Sequence, residues 1–442
     1  MQLAKLSQPH SSSVQDLPRE LEGFAIVYFG NDWSAENRTS SHHIARLLGR
    51  YVPLLYVETP GMRAPSATKR DLSKLGRKLL NALQPPRSVG EHFWVMTMPQ
   101  IPFRRWPLAR KLNELYGRYV VRKAVRQLGM DRVISWFVVP HPGALVRRLG
   151  EQYAVYYCID DYSGLPDVDR REIGRLDEEL TRAADQVFVA SGTLLDRKRA
   201  LNANIEYSPH GVDFGHFSTA SDSTRPVANG AKNLPHPLIG FFGSISGWID
   251  LELISYLARE RPKWTFLLIG LASVDTSSLR AHSNVILAGA QPYGSLPDWA
   301  RAFDVAILPY RYLDQGARNA NPLKLREYLA TGKPVVAVST PEIERFSHCI
   351  RIANSPHDFL QQVEDALTND SDSDRQKRIR EVMDSTWEAR VATVIQSVRR
   401  GIHRTSFPGE PSSKRVCSED LPKSTVPDGP DSRKGEPNEH AS

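Results

Sequence analysis

Cysteine is scarce in this 442-residue chain: there are three, Cys158, Cys349 and Cys417, and no two form a C-x-x-C pair. An odd, scattered set excludes a disulfide framework, gives no zinc-site spacing and points to a reducing compartment. Long apolar runs are missing as well. No stretch approaches the roughly 18 apolar residues of a membrane span, and residues 1–20 hold no apolar core of signal-peptide length. The expected location is therefore the cytoplasm. No repeat of solenoid period is visible. Acidic residues are thin in one region: residues 61–150 hold 4 Asp/Glu against 18 Lys/Arg, whereas the whole chain is only +7. The segment carries an excess of 14 positive charges, which leaves the remainder net negative by 7.

What is present is ordinary for a folded protein, with 40% hydrophobic and 24% charged residues, so wholesale disorder is excluded. At about 150 residues per domain the length allows two or three domains. Short apolar runs bounded by Gly, Asn or Asp alternate with amphipathic stretches, the pattern of an α/β protein with parallel sheets covered on both faces. A first series of strands is expected at 24–29, 53–57, 93–98, 133–138, 154–158 and 187–190, with helices at 40–48, 108–128 and 173–184. A second series follows, with strands at 238–242, 265–269, 285–287, 305–308 and 335–338. Its helices are expected at 251–260, 295–302, 322–330 and 359–367.

The division read from these patterns is a flexible N-terminus (1–20), a first Rossmann-like lobe (21–215), a Ser/Asn/Pro-rich linker (216–236) and a second Rossmann-like lobe (237–386). A helix returning to the first lobe (387–403) and a disordered tail (404–442) follow. Two such lobes facing each other make a cleft, and open α/β sheets bind ligands beyond the carboxyl ends of their strands.

Strand-exit residues are therefore the candidates. In the stretch from Asn319 to Val336, Pro322 suits the first turn of a helix and Gly332 its C-terminal cap. The helix start offers free N–H groups to an anion, with Lys324 a turn in and Glu327 on the same face, able to accept two hydrogen bonds from a vicinal diol. A nucleoside diphosphate would sit this way; a solvated i,i+3 Lys–Glu pair would look the same in sequence.

The motif PLKLREYLATGKPVVAV, with GFFGSISGWIDLELI, WTFLLIG, DDYSGLP, AADQVFVAS and SPHGVDFGHF, resembles the GT-B glycosyltransferases of family 4. Within that family it is most similar to the group 1 enzymes of teichuronic-acid and exopolysaccharide biosynthesis, over roughly residues 24–394. The resemblance implies a GT-B fold: two Rossmann-like doubly wound domains, the first for the acceptor and the second for a nucleotide-sugar donor. In the family's E-x7-E pair the second Glu holds the nucleotide ribose and matches Glu327. The first falls on Asn319, which can still bond sugar hydroxyls but supplies no negative charge. Relatives carry an Arg and a Lys after the first strand of the donor domain. Here that place reads Gly243-Ser-Ile-Ser-Gly-Trp248, so backbone N–H groups of Gly243 and Ser244 would meet the diphosphate, with charge from Lys324 or Arg318.

Gly270 and Tyr293 occupy positions that approach the base in similar enzymes. Tyr293 could stack on it, or simply shape a loop. On the acceptor side are Arg38, Ser41 and His43 at a helix start after strand one, and the pair Asp160-Asp161 after the strand at 154–158. His141 follows the strand at 133–138. His42 and His43 read equally as caps or core residues, and Trp248 as a packing residue. His210 of the H-G-V-D stretch reads as structural. The candidates for chemistry are Asn319, Lys324, His141 and Asp161. The resemblance is to a fold that uses helix dipoles and cations, so no metal and no cofactor beyond the donor substrate is expected.

Residues 71–84 read DLSKLGRKLLNALQ, with Leu72, Leu75, Leu79, Leu80 and Leu83 on one face and Lys74, Arg77 and Lys78 beside it, an interfacial type of helix. With Phe103, Arg104, Arg105 and Trp106 nearby, residues around 61–150 are expected to meet an anionic membrane surface, making the protein peripheral on the inner face. No nucleic-acid-binding motif accompanies the charge. The expected activity is transfer of a hexosyl-type group, with retention, from a nucleotide diphosphate sugar to a lipid-linked or saccharide acceptor in cell-surface polysaccharide synthesis. The alternatives are a non-catalytic nucleotide-sugar-binding or scaffold protein of the same fold, and a GT-B nucleotide-sugar epimerase.

Overall fold

The computed structural model describes residues 20–34, 39–59, 84–98, 107–165, 168–311, 319 and 321–406. Among these, the first sheet is built from β1 (Ala25–Gly30), β2 (Leu54–Glu58), β3 (Arg87–Gly90), β4 (Phe93–Thr97), β5 (Val133–Phe137), β6 (Tyr153–Cys158), β7 (Gln186–Val189) and β8 (Ile205–Tyr207). Their order across the sheet is β3-β4-β2-β1-β5-β6-β7-β8, parallel throughout except for β3 against β4. The second sheet, all parallel, comprises β9 (Leu238–Phe242), β10 (Thr265–Ile269), β11 (Val285–Gly289), β12 (Val305–Leu308), β13 (Val335–Val338) and β14 (Arg351–Ala353). It runs β11-β10-β9-β12-β13-β14.

The central strands are apolar along their whole length because helices cover both faces of a parallel sheet. Every residue of β1 is buried, and Ile26 pairs with Leu54 on one side and Ile134 on the other. In each sheet the chain changes direction at one strand, β1 in the first and β9 in the second, with neighbours added first on one side and then on the other. The crevices beyond the carboxyl ends of β1 and β9 are thus the natural ligand sites.

The helices are α1 (Ser40–Tyr51), α2 (Pro107–Gln127), α3 (Arg170–Ala183), α4 (Gly192–Lys198), α5 (Phe214–Phe217), α6 (Leu251–Glu260), α7 (Ser277–Arg280), α8 (Leu296–Arg301), α9 (Leu323–Thr331), α10 (Pro341–Glu344), α11 (Pro356–Asn369), α12 (Asp372–Val382) and α13 (Trp387–Ser406). Many begin at side-chain caps: Asp169, Ser191, Asp250, Thr340, Ser355 and Ser371 each accept a backbone N–H from the first turn. Three strands depart from the sequence pattern. β3 is an exposed edge strand with no apolar alternation to betray it, while β8 and β14 are three-residue edge strands.

Two apolar cores form, one per sheet. The stretch expected as a linker is packed: Phe217, Ala220 and Ala231 are buried in the second core, as is Val212. Its apolar residues are few and spaced by Ser and Asn, which hides this in the sequence. α13 follows the second lobe yet buries Trp387, Val391, Ile395 and Val398 in the first core. Residues 1–19 of the expected N-terminal segment (1–20), residues 71–83 of the stretch expected as an interfacial helix, residues 103–106 and residues 407–442 lie outside the described residues, whereas residues 404–406, expected to open the tail (404–442), belong to α13.

Among the described residues a buried polar network ties the two lobes together. Glu342 of α10 is 2% exposed and accepts the Gly192 N–H at the start of α4 (2.6 Å) and the Tyr207 hydroxyl of β8 (2.9 Å). Asn321 Nδ2 donates to the Glu342 carboxylate (3.2 Å) and to the Ala190 carbonyl (2.7 Å), and Arg326 donates to Asn321 Oδ1 (2.5 Å). A carboxylate this deep is tolerated only because donors surround it, and its removal strands them. Glu342→Ala should lower unfolding stability by about 2–4 kcal/mol, read as a drop in denaturant midpoint. Glu342→Gln, which keeps one acceptor oxygen, should lose less.

Candidate functional site

A cavity of about 460 Å³ lies between the lobes at the carboxyl ends of the strands, in the size range of small-molecule sites. Asn31 beyond β1, Thr39 and Ser40 at the start of α1, Asp160 and Asp161 beyond β6, and His210 form one wall. Gly243 and Ser244 beyond β9, Gly270 beyond β10, Tyr293, Lys324 and Glu327 form the other.

α9 supplies the charged pair. It ends in Gly332, left-handed at φ 73°, as its sequence requires, while Pro322 caps the helix start in extended conformation, one position before the expected first turn. Glu327 is 6% exposed, so the solvated-pair reading does not hold. Its carboxylate lines the cavity and has no hydrogen-bond donor among the described residues. Burial pushes its pKa up to about 7, with Lys324 working against that and Asp213 adding to it. Burial in turn pulls the Lys324 ammonium down, partly offset by Glu327. The Lys324 stem runs across Gly243, where any Cβ would strike its Cε. Gly243 (φ 138°) and Gly270 (φ 149°) take backbone angles closed to other residues, and a Cβ on Gly270 would meet the Gly243 carbonyl. The two glycines let backbone from two strand exits and a cationic stem converge on one spot.

The adjacent carboxylates are driven apart. Burial pushes Asp160 up to about 6. Burial acts on Asp161 too, but hydrogen bonds from Ser163 (2.8 Å), Arg197 (2.6 Å) and Asn319 (2.8 Å) outweigh it and hold Asp161 below the usual range. The Asn319 bond crosses the cleft, so the amide at the E-x7-E position is engaged with the opposite lobe. His210 lines the cavity and bonds Ser40 Oγ through Nδ1 (3.0 Å); burial, with Arg326 and Arg390, pulls it down to about 3 and keeps it neutral.

Several candidates lie elsewhere. Ser41 faces the first core, its carbonyl accepting from Tyr28 (2.9 Å) and its hydroxyl 3.4 Å from Tyr56. Thr39 and Ser40 line the cavity in its place, because one residue along a helix turns the side chain by about 100°. His43 stacks on Trp387 (5.1 Å between centroids) and does not line the cavity, and His42 closes a capping box with Thr39. His141 is half-buried and likewise outside the cavity lining. Tyr293 lines the cavity, but His216 stacks on one face of its ring (4.8 Å) and Phe217 meets its edge, which limits it as a stacking platform for a base. Trp248 also lines the cavity. Arg38 and Arg318 lie outside the described residues.

Sequence reasoning assigns no role to Asn321 or Glu342. For Glu342 a signal exists: Ser-Thr-Pro-Glu beyond β13 is a strand exit followed by a capped helix start. Among the described residues no three His, Cys, Asp or Glu side chains gather as a metal site, and no helix is long and apolar enough to cross a membrane.

Solved structures share this architecture. A sucrose-phosphate synthase from Thermosynechococcus elongatus superposes with a TM-score of 0.62 at 13% identity, over 86% of this chain and 100% of that one. A structure described as trehalose-6-phosphate from E. coli bound with UDP-2-fluoro glucose gives 0.61 at 12%, over 85% and 99%. A glycosyltransferase from Rickettsia africae gives 0.57 at 11%, over 86% and 98%. These likenesses define the fold as GT-B. Residues 236–369 match the family described as Glycosyl transferases group 1, and the second lobe is a domain of that family. The chain is also 25% identical over 263 residues to TuaH of Bacillus subtilis (strain 168), named as a putative teichuronic acid biosynthesis glycosyltransferase. That match takes in 55% of this chain and 65% of the relative's length.

The raised Glu327 pKa has a consequence for stability. Between the ordinary Glu value of about 4.3 and about 7, the folded chain holds a proton that the unfolded chain has released, so stability falls as pH rises through that window. Glu327→Gln removes the dependence. The melting temperature of the ligand-free variant should gain on wild type between about pH 5 and about pH 8, and equal gaps at both ends would contradict the burial argument.

Proposed function

We propose that this protein transfers a sugar, with retention of configuration, from a nucleoside diphosphate sugar to a saccharide or lipid-linked acceptor in cell-surface polysaccharide synthesis. The observation that carries the reading is Glu327, a buried carboxylate facing the interlobe cavity without a donor among the described residues, with Lys324 beside it. A ribose diol supplies the two donors that carboxylate wants, and a diphosphate answers Lys324, the α9 N-terminus and the Ser244 N–H; the Gly243 N–H, expected from sequence to share that task, is instead taken by the Ile269 carbonyl (2.7 Å) as the strand ends. The name of the Bacillus relative supports a cell-wall polymer as acceptor, and the UDP-2-fluoro glucose bound in the E. coli structure supports a nucleotide-sugar donor.

In this scheme the leaving diphosphate is stabilised by fixed dipoles and Lys324, and no protein nucleophile, cofactor or metal is called for. The acceptor proton passes to the departing phosphate or to Asp160, whose pKa of about 6 suits a base better than that of Asp161, tied into three hydrogen bonds. The acceptor would be met on the inner face of the membrane, the basic N-terminal lobe turned toward it. Asn319 favours a second reading, a binding protein without turnover, because its amide is held by Asp161 across the cleft.

Thermal shift against UDP-, GDP- and ADP-sugars tests the assignment. One class of donor should stabilise the wild type, and Glu327→Ala should weaken that binding by about tenfold to a hundredfold, the worth of one or two hydrogen bonds to a charged acceptor. No stabilisation by any donor, with Glu327→Ala indistinguishable, would overturn the donor site; stabilisation without sugar release or transfer would favour the second reading.

A further inference from the structure

Exposed large hydrophobic residues are few among the described residues, and five of them share one helix: Leu108 (70% exposed), Leu112 (46%), Leu115 (51%), Tyr116 (43%) and Tyr119 (62%), all on α2. Their spacing of i, i+4, i+7, i+8 and i+11 places them on one face. The opposite face is already used: Val121, Ala124 and Val125 are buried, and Gly117 faces Met98 and Leu145. The exposed stripe is therefore an apolar face that the described residues of the lobe leave uncovered.

Its charge is one-sided. Glu114 is the one acidic residue of α2, and it pairs with Arg148. Arg110 pairs with Glu172 (3.4 Å), but Lys111, Arg118, Arg122, Lys123 and Arg126 form no ion pair among the described residues. At about 100° per residue, Lys111, Arg118 and Arg122 run along one side of the stripe, and Lys123 and Arg126 continue the line of the stripe itself beyond Tyr119. Leucines and tyrosines rimmed by unpaired cations are the composition of a helix lying in the headgroup region of an anionic bilayer. A second copy on the same face would set cations against cations, and a nucleic acid would leave the leucines unused.

We propose that α2 is the surface by which this protein sits on an anionic phospholipid membrane, Leu108, Leu112, Leu115 and Tyr119 entering the interface and the flanking cations meeting phosphate headgroups. This deepens the membrane part of the proposed function and stands apart from sugar transfer, since nucleotide binding survives if it fails.

The full chain is sedimented with vesicles of equal parts phosphatidylglycerol and phosphatidylcholine, and with phosphatidylcholine alone. Wild type should pellet with the anionic vesicles only, and raising salt should release it. The triple variant Leu112→Ser, Leu115→Ser, Tyr119→Ser should bind at least about tenfold more weakly, as should Lys111→Glu, Arg118→Glu, Arg122→Glu. Thermal melts and donor-induced shifts like wild type would show both variants folded. Should the apolar variant melt early, the charge variant alone decides. Failure of wild type to pellet with anionic vesicles, or binding unchanged in the folded variants, overturns the proposal. So does a dimer that the apolar variant dissolves, or capture by RNA in preference to vesicles.

Discussion

The arrangement of this molecule depends on a carboxylate buried where two lobes meet. Glu342 takes donors from Gly192 and Tyr207 of the first lobe and from Asn321 of its own, while Asn321 also reaches the Ala190 carbonyl. Asn321 immediately precedes Pro322 and α9, so the network fixes where that helix begins relative to both sheets. Everything the cavity offers an anion follows from that placement. The N–H groups at the start of α9, the Lys324 ammonium and the Glu327 carboxylate are aimed by a helix whose approach, at Asn321 just before its Pro322 cap, is tied to the opposite lobe. α13, running from the second lobe into the first core, reinforces the tie with apolar packing.

The chemistry of the cavity follows from burial. Two pairs of ionisable residues, Lys324 with Glu327 and Asp160 with Asp161, are shaped by their surroundings in opposite ways. In the first, a shared lack of solvent pushes both partners toward neutrality, leaving a site charged in full only when a ligand supplies partners. In the second, three side-chain hydrogen bonds hold Asp161 down, while burial outweighs the one bond Asp160 takes from the Asp161 N–H. Groups with separated affinities for protons, close together and facing one cavity, are a common property of sites that bind or transform ligands.

Much of this is legible in the residues alone. The α9 motif announces its own ends through Pro322 and Gly332, and apolar runs such as residues 238–242 can be little else than buried parallel strands. Lys324, Glu327, Gly243, Ser244, Gly270 and Asp160 all line the cavity, because strand exits and helix starts are local features that sequence displays. Rotation and distance are what stay hidden. Ser41 and Ser40 differ by one step on a helix, a step that separates core from cleft, and nothing local says which is which. Glu342 and Asn321 matter through partners 150 and 131 residues away, and chain order alone cannot reveal those pairings. Asn319 reads in sequence as a partner for a sugar, whereas its amide is taken by Asp161. The exposed face of α2 reads only as part of a basic region, since Leu and Lys interspersed along a helix do not tell which side its own lobe will cover.

The most direct test of the central claim is the affinity of the Glu342→Ala protein for the nucleoside diphosphate that stabilises wild type, measured by calorimetry at a temperature where both are folded. Glu342 does not line the cavity. If the interlobe network positions α9 for its ligand, affinity should fall by about tenfold or more, on the scale of a lost positioning contact. Equal affinity in the two proteins would contradict the account, leaving the second lobe to form the site unaided.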